Sequence, residues 1–255
     1  MQGSVAIALT ILGGAGCETN LETGTPQATL ATAQRLVEEG SLDRLPALVY
    51  IEARPITYAD GVTEASAIED VRGKLSDMLG QLARVSGKLR AAFPDGVAAE
   101  GDALRRLAGG GDFGAQISRV ILDPFAFLSE QGEELEAEDL GDGTAALTYE
   151  DEPIAGGLVS MIETDDGWRF TVPVELARST DYWPESRHEW SVIASMMLAV
   201  ENALGDIEQE LDEGGFRNLD HAGERIGRLL GESVVVQSII YASMKKSGKG
   251  ADAGS

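Results

Sequence analysis

The sequence predicts an α+β fold: N-terminal helices with an antiparallel four-stranded meander, plus a long heptad-like helix and a C-terminal α-helical hairpin. Three observations carry that prediction. Apolar residues recur at three- and four-residue steps from Ile68 to Leu89 and again from Trp190 to Leu211, the period of one helix face. Between these segments, across residues 133–174, the period falls to two, as in half-buried strands. Clusters of glycine, proline and aspartate separate the blocks and mark turns.

The first helix opens at Thr25-Pro26, where threonine can cap and proline suits the first helical position. Leu30, Ala33, Leu36 and Val37 form its apolar stripe and Gly40 stops it. Ser41 is expected to cap a second, short helix through Leu48, and residues 49–58 read as extended, with Pro55 at an edge or an end. Ser66 and Glu69 have the spacing of a capping box before the long helix. Along it, Ile68, Val71, Leu75, Met78, Leu82, Val85 and Leu89 make an a/d seam. Gly73, Gly80 and Gly87 fall seven apart on the same helix, a stripe where a neighbouring helix could approach.

A weaker helix is expected over 97–107, a flexible break at Gly109-Gly110-Gly111, and a buried apolar block from Ile117 to Leu128. Ala145, Leu147 and Tyr149 then alternate with polar neighbours, as do Trp168, Phe170, Val172 and Val174. Gly141-Asp142-Gly143 and Asp165-Asp166-Gly167 have the residues of tight hairpin turns. Two C-terminal helices follow, joined at Gly214-Gly215. The second carries Ala222, Ile226, Leu229, Val236 and Ile240 on its apolar face. The domain layout read from these blocks is 1–16, 17–24, 25–178, 179–246 and a disordered tail at 247–255.

Composition narrows the function classes. A net charge of −23 argues against nucleic-acid binding, which needs basic surface against phosphates. It argues equally against electrostatic adhesion of the chain to anionic headgroups. One cysteine allows no intrachain disulfide, so the fold rests on its core.

That cysteine, Cys17, follows the uncharged run Val5–Leu12 and the small residues Gly13-Gly14-Ala15-Gly16, and Glu18-Thr19-Asn20 turn polar at once. The run is too short to span a bilayer, which takes about 20 apolar residues. The arrangement resembles a bacterial lipoprotein signal peptide. That resemblance implies cleavage after residue 16, lipidation at Cys17, a tether over 17–24, and an extracytoplasmic location in the cell envelope. Membrane attachment would then fall to the acyl chains. The competing reading is a buried N-terminal strand with an incidental cysteine.

Thr25-Pro26, Glu38-Glu39-Gly40, Leu42-Asp43-Arg44-Leu45 and Asp166-Gly167-Trp168-Arg169 together resemble the nuclear transport factor 2-like, cone-shaped α+β families. In those families the tryptophan packs the sheet against the first helix. Relatives with a catalytic cone use an acidic or histidine side chain inside it. By that resemblance the pocket candidates here are Asp139, Tyr149 and Glu163. No residue motif selects any of them, and solvent-facing carboxylates with a core tyrosine are the plainer reading.

Asp112-Phe113-Gly114 copies a kinase tripeptide without its companion motifs, and the triple glycine lacks the lysine of a phosphate loop. His188 and His221 have no metal-ligand spacing, and the acids from Glu130 to Asp142 lack the alternation of a calcium loop. These acids read as a solvated strand edge that discourages aggregation. No cofactor is expected. The expected role is a non-enzymatic binding or protein-interaction function in the envelope, with the helix seams as contacts to another envelope protein. The alternative is a small-molecule-binding or isomerase/cyclase-like enzyme working in the cone.

Overall fold

The computed structural model describes residues 21–94, 132–157, 159–171 and 183–252, together with Phe125, Leu128, Val174, Arg178 and Ser179. The expectations for residues 1–20 with Cys17, for 97–107, and for the glycine and Asp112-Phe113-Gly114 motifs lie outside the described residues, as does most of the 117–128 block.

Helix α1 runs Pro26–Glu38, and the Thr25 hydroxyl accepts from the Ala28 N–H at 3.1 Å. Leu42–Leu48 is a 3-10 helix rather than an α-helix; it contains Pro46, and Ser41 makes no side-chain cap. Strand β1 is Val49–Tyr50, followed by α2 at Glu64–Ala92. The α2 cap is Thr63, not Ser66: the Thr63 hydroxyl accepts from the Ser66 N–H at 3.2 Å. The helix therefore begins earlier than the capping box suggested, and Glu64 becomes its first residue.

Strands β2 (Leu135–Asp139), β3 (Thr144–Tyr149), β4 (Glu152–Pro153), β5 (Ser160–Thr164) and β6 (Gly167–Thr171) follow. The sheet order is β1-β6-β5-β3-β2, with β4 paired to β3. The expected meander is thus β2-β3-β5-β6, antiparallel throughout, and β1 adds a parallel edge against β6. Gly141 and Gly143 take φ near +80° at the first hairpin turn, as its sequence requires. Strand β2 is an edge whose Glu136, Glu138 and Asp139 are exposed, the charged rim that blunts strand addition.

Helices α3 (Arg187–Asp212) and α4 (Leu219–Asp252) close the fold. Helix α4 continues to Asp252, so residues 247–252 of the segment expected to be a disordered tail are helical. Asp70 pairs with Arg187 near the start of α2 and α3, while Lys88 pairs with Glu208 and Asp212 near their ends. The two helices therefore run parallel. Arg225 pairs with Glu210, and Lys245 with Glu185 and Glu189, so α3 and α4 form an antiparallel hairpin.

Helix α1 divides two cores. Its Leu30 joins Leu135, Ala145, Leu147, Met161 and Trp168 on the sheet. Its Ala33 and Leu36 join Leu79, Leu82, Val85 and Leu89 of α2, Leu204 and Ile207 of α3, and Ala222 and Ile226 of α4. This second core crosses the 178/179 division read from the sequence. The α2 seam is spent inside the chain: Ile68, Leu82, Val85 and Leu89 are all buried. Of the glycine stripe, only Gly80 lies close to another element, with Asp43 Cβ of the 3-10 helix 3.2 Å from where its own Cβ would stand. Gly73 and Gly87 face open space.

Candidate functional site

A network of charged and aromatic side chains gathers around a buried carboxylate where α2 and α3 begin. Glu64 is fully buried, a costly place for a carboxylate unless it is paired. Arg54 supplies the pairing: Nη2 lies 2.6 Å from Oε1, Nε lies 3.0 Å from Oε1 and 3.1 Å from Oε2, and the Arg54 backbone N–H donates to Oε2 at 2.5 Å. Pro55 follows at once and disfavours helical backbone at Arg54. Trp183 Nε1 donates to Oε1 at 3.4 Å, and Arg178 Nη2 stands 3.9 Å from Oε2. Burial opposes the charge on Glu64 most strongly. The hydrogen bonds from the Arg54 side chain and backbone and from Trp183, with the Arg54 charge, outweigh it and hold the carboxyl below its usual range.

Aromatic rings wall this pair. Trp183 and Trp190 meet edge to face at 5.5 Å, and the Arg178 guanidinium lies 5.3 Å from the Trp183 ring centre. Trp190 Nε1 donates to the Tyr58 hydroxyl at 2.8 Å, while its ring packs on Ala67 and Ile68 of α2. Burial pushes the Tyr58 phenol up.

A second buried pair locks the far end of the hairpin. Glu189 Oε2 accepts from the Glu185 N–H at 2.5 Å and lies 3.1 Å from Lys245 Nζ, and Lys245 also donates to the Trp183 carbonyl. Tyr241, one helical turn before Lys245, is pushed up to about 12, first by burial and then by the charges of Glu189 and Glu185. Each oxygen of Glu64 and Glu189 Oε2 therefore has protein donors in reach. Through these contacts the two carboxylates tie neighbouring elements together.

The sequence candidates lie elsewhere. Strand register puts Asp139 opposite Ala145, Tyr149 opposite Leu135, and Glu163 opposite Trp168. All three share the face that α1 covers, but at its rims. Asp139 and Glu163 are exposed near the hairpin turns, and Asp139 Oδ1 accepts from the Gly141 N–H at 2.8 Å. Tyr149 is half-buried at the opposite end, where the hydrogen bond its hydroxyl donates to Glu134, and then burial, push its phenol up. The three are not brought together. Between them the face is packed with side chains: Ala145 and Met161 are wholly buried and Trp168 is 5 % exposed, in contact with the cluster that includes Leu30 of α1.

His188 and His221 are exposed, and among the described residues no group of three or more His, Cys, Asp or Glu could hold a metal ion. No helix among the described residues is long and apolar enough to cross a membrane.

Helix α4 carries a surface feature of the opposite kind. Val235, Val236, Ile239 and Ile240 are exposed, Ile239 at 61 %. The sequence placed Val236 and Ile240 on the inner face, but Tyr241 and Lys245 occupy that face, and the helix is turned accordingly. Ile239, Ile240 and Met244 form one wall of a groove whose other wall is Glu185, Ser186 and Glu189.

No protein-family model matches the chain, and neither a curated protein nor a solved structure matches it. The buried Arg54–Glu64 pair escaped the sequence reading because Ser66-x-x-Glu69 drew the helix start past Glu64. The available signal was Thr63, an equally good cap placed directly before an acidic residue.

Proposed function

We propose that this chain is a lipid-anchored protein of the bacterial cell envelope with a non-enzymatic, protein-interaction role exercised through helix α4. The observation that carries the reading is the exposed stripe Val235, Val236, Ile239 and Ile240 on a chain that consumes its other heptad-like seams internally. Adjacent β-branched side chains left in water on one helix face mark a contact surface. The Cys17 leader supplies the anchor in this reading. The likeness to the cone-shaped families belongs to it as scaffold: Trp168 lies in the core that α1 and the sheet share, and that face is packed rather than open.

Two measurements test the proposal in the native host. Intact-mass spectrometry of the membrane fraction should give a chain beginning at Cys17 with acyl groups added. A photo-crosslinking residue at position 239 should give one discrete adduct, and the same residue at the exposed Leu140 should give none. An unprocessed soluble chain would overturn the anchor, and absence of any adduct at 239 would overturn the interaction role.

A further inference from the structure

We infer that the distal half of helix α4, from Gly231 onward, is a latched arm that unwinds from α3 as one unit while the proximal half and the rest of the fold stay intact. The device belongs to the fold alone and holds with or without a lipid anchor or a partner at the α4 stripe.

The two halves of α4 are held in different ways. In the proximal half Leu219, Ala222 and Ile226 are buried, and Leu229 and Leu230 pack beside them, all in the core shared with α1, α2 and α3. Arg225 adds its pair with Glu210. Past Leu230, none of the described residues enters the helical core, the sheet core or the cluster around Trp190. Val235, Val236, Ile239 and Ile240 stand in water, and Tyr241 is the only described residue of this half that is buried.

The residues between and beyond the halves favour a break. Gly227 and Gly231 lie inside the helix, yet a Cβ at either would meet open space, so packing gives no reason for glycine there. Each weakens the helix relative to alanine. Val234, Val235, Val236, Ile239 and Ile240 follow, five β-branched residues in a span of seven, a type that loses side-chain freedom in a helix. A segment with low helix propensity and little buried apolar surface opens locally well before the body unfolds.

What closes the arm is a small set of contacts to the start of α3. Lys245 Nζ lies 3.1 Å from Glu189 Oε2 and 3.7 Å from Glu185 Oε2, and it donates to the Trp183 carbonyl. Tyr241 is buried one turn earlier. These contacts stand about 20 Å along the axis beyond Gly231. Elsewhere the arm and α3 are parted by the groove between Ile239, Ile240 and Met244 on one side and Glu185, Ser186 and Glu189 on the other. One contact set at the far end therefore governs the whole stretch, so the arm releases together rather than fraying residue by residue. The Lys245 and Glu189 side chains are only 13 % and 11 % exposed, so a closed arm without the ammonium would bury an uncompensated carboxylate, and opening would hydrate it.

Native-state hydrogen exchange on the full chain carrying Cys17→Ser, resolved residue by residue, tests the inference. The amides of 237–245 should exchange about a hundredfold or more faster than those of 222–230, and should share one opening equilibrium. Lys245→Met should speed exchange across 237–245 by about tenfold or more and leave 222–230 unchanged. Lys245→Arg, which keeps the cation, should restore most of the protection. Gly231→Ala should slow exchange across the arm by up to about fivefold. Equal protection in the two halves of the parent protein would overturn the inference. So would exchange that quickens steadily toward Asp252 with no shared value, or a Lys245→Met variant that shifts both halves alike.

Discussion

Replacing Arg54 by methionine removes the partner of a carboxylate that has no solvent exposure. Breaking a buried pair in this way generally costs about 3–5 kcal/mol, because the remaining charge stays buried and uncompensated. Here the cost should lie near the lower end, about 3 kcal/mol, since Glu64 keeps the Arg54 backbone N–H at 2.5 Å and has Arg178 at 3.9 Å. For a chain of this size each kcal/mol moves the melting temperature by about 2–4 °C, so Arg54→Met should melt about 6–12 °C lower at pH 7. The Glu64 carboxyl is held below its ordinary value of 4.5 in the fold, so the pair's stabilisation is fully present above that pH. It is lost as pH falls through the lower folded value. In the variant, burial without the Arg54 side chain pushes the carboxyl up, so the buried charge is neutralised at a higher pH than in the parent protein. The gap between the two proteins, followed by circular dichroism, should therefore narrow from pH 7 to pH 4. Arg54→Met combined with Glu64→Leu should recover most of the loss, because neither charge is then stranded. A cost below about 1 kcal/mol at pH 7, or a gap that does not change with pH, would refute the reasoning.

Four further outcomes are expected. Gly167 has φ +100°, and a Cβ there would stand 2.5 Å from the Thr23 carbonyl, so Gly167→Ala should cost at least about 1–3 kcal/mol in urea unfolding. Gly73→Ala and Gly87→Ala meet open space inside α2 and should each add up to about 1 kcal/mol by the same assay. Tyr241, pushed up to about 12, contributes stability that is complete below its ordinary value of 10 and is lost between that value and 12. Tyr241→Phe should flatten the fall in melting temperature across that alkaline window. Leu36 is wholly buried in the core shared by α1, α2, α3 and α4, so Leu36→Ala should cost about 2–5 kcal/mol and lower a single cooperative transition.

Much of the fold was legible because its signals are local. Thr25-Pro26 caps α1 as its residues require, the two glycine-containing turns make the expected hairpins, and the stepping from Ile68 to Leu89 marks the buried side of α2. What was not legible depends on distant partners. The period of α4 is apolar on two sides, with Val236 and Ile240 on one and Tyr241 on the other, and the ion pair of Lys245 with Glu189 selects between them. The glycine stripe on α2 looked like a helix contact, but only Gly80 has a near neighbour, and that neighbour is a 3-10 turn. The buried charge cluster joins residues 54, 64, 178, 183, 189 and 245, separations that no periodicity encodes. Asp139, Tyr149 and Glu163 come from the family resemblance, with their face left open by alternation, and strand register puts all three on the face that α1 covers. Asp139 and Glu163 stand beside the hairpin turns at one rim, which only the strand pairing reveals.

The parallel pairing of α2 with α3 carries a consequence for how the chain is made. Parallel neighbours cannot be joined by a short turn, and here the whole meander is threaded between Ala92 and Arg187. As the polypeptide emerges, α2 is complete while its partner is still unsynthesised, and at 5–20 residues per second the wait is roughly 5–20 s. For that interval Leu79, Leu82, Val85 and Leu89 lack the α3 and α4 residues that later cover them. The strong Thr63 cap and the charged outer face of α2 keep the waiting helix soluble, and the last two helices to appear are the ones that seal it.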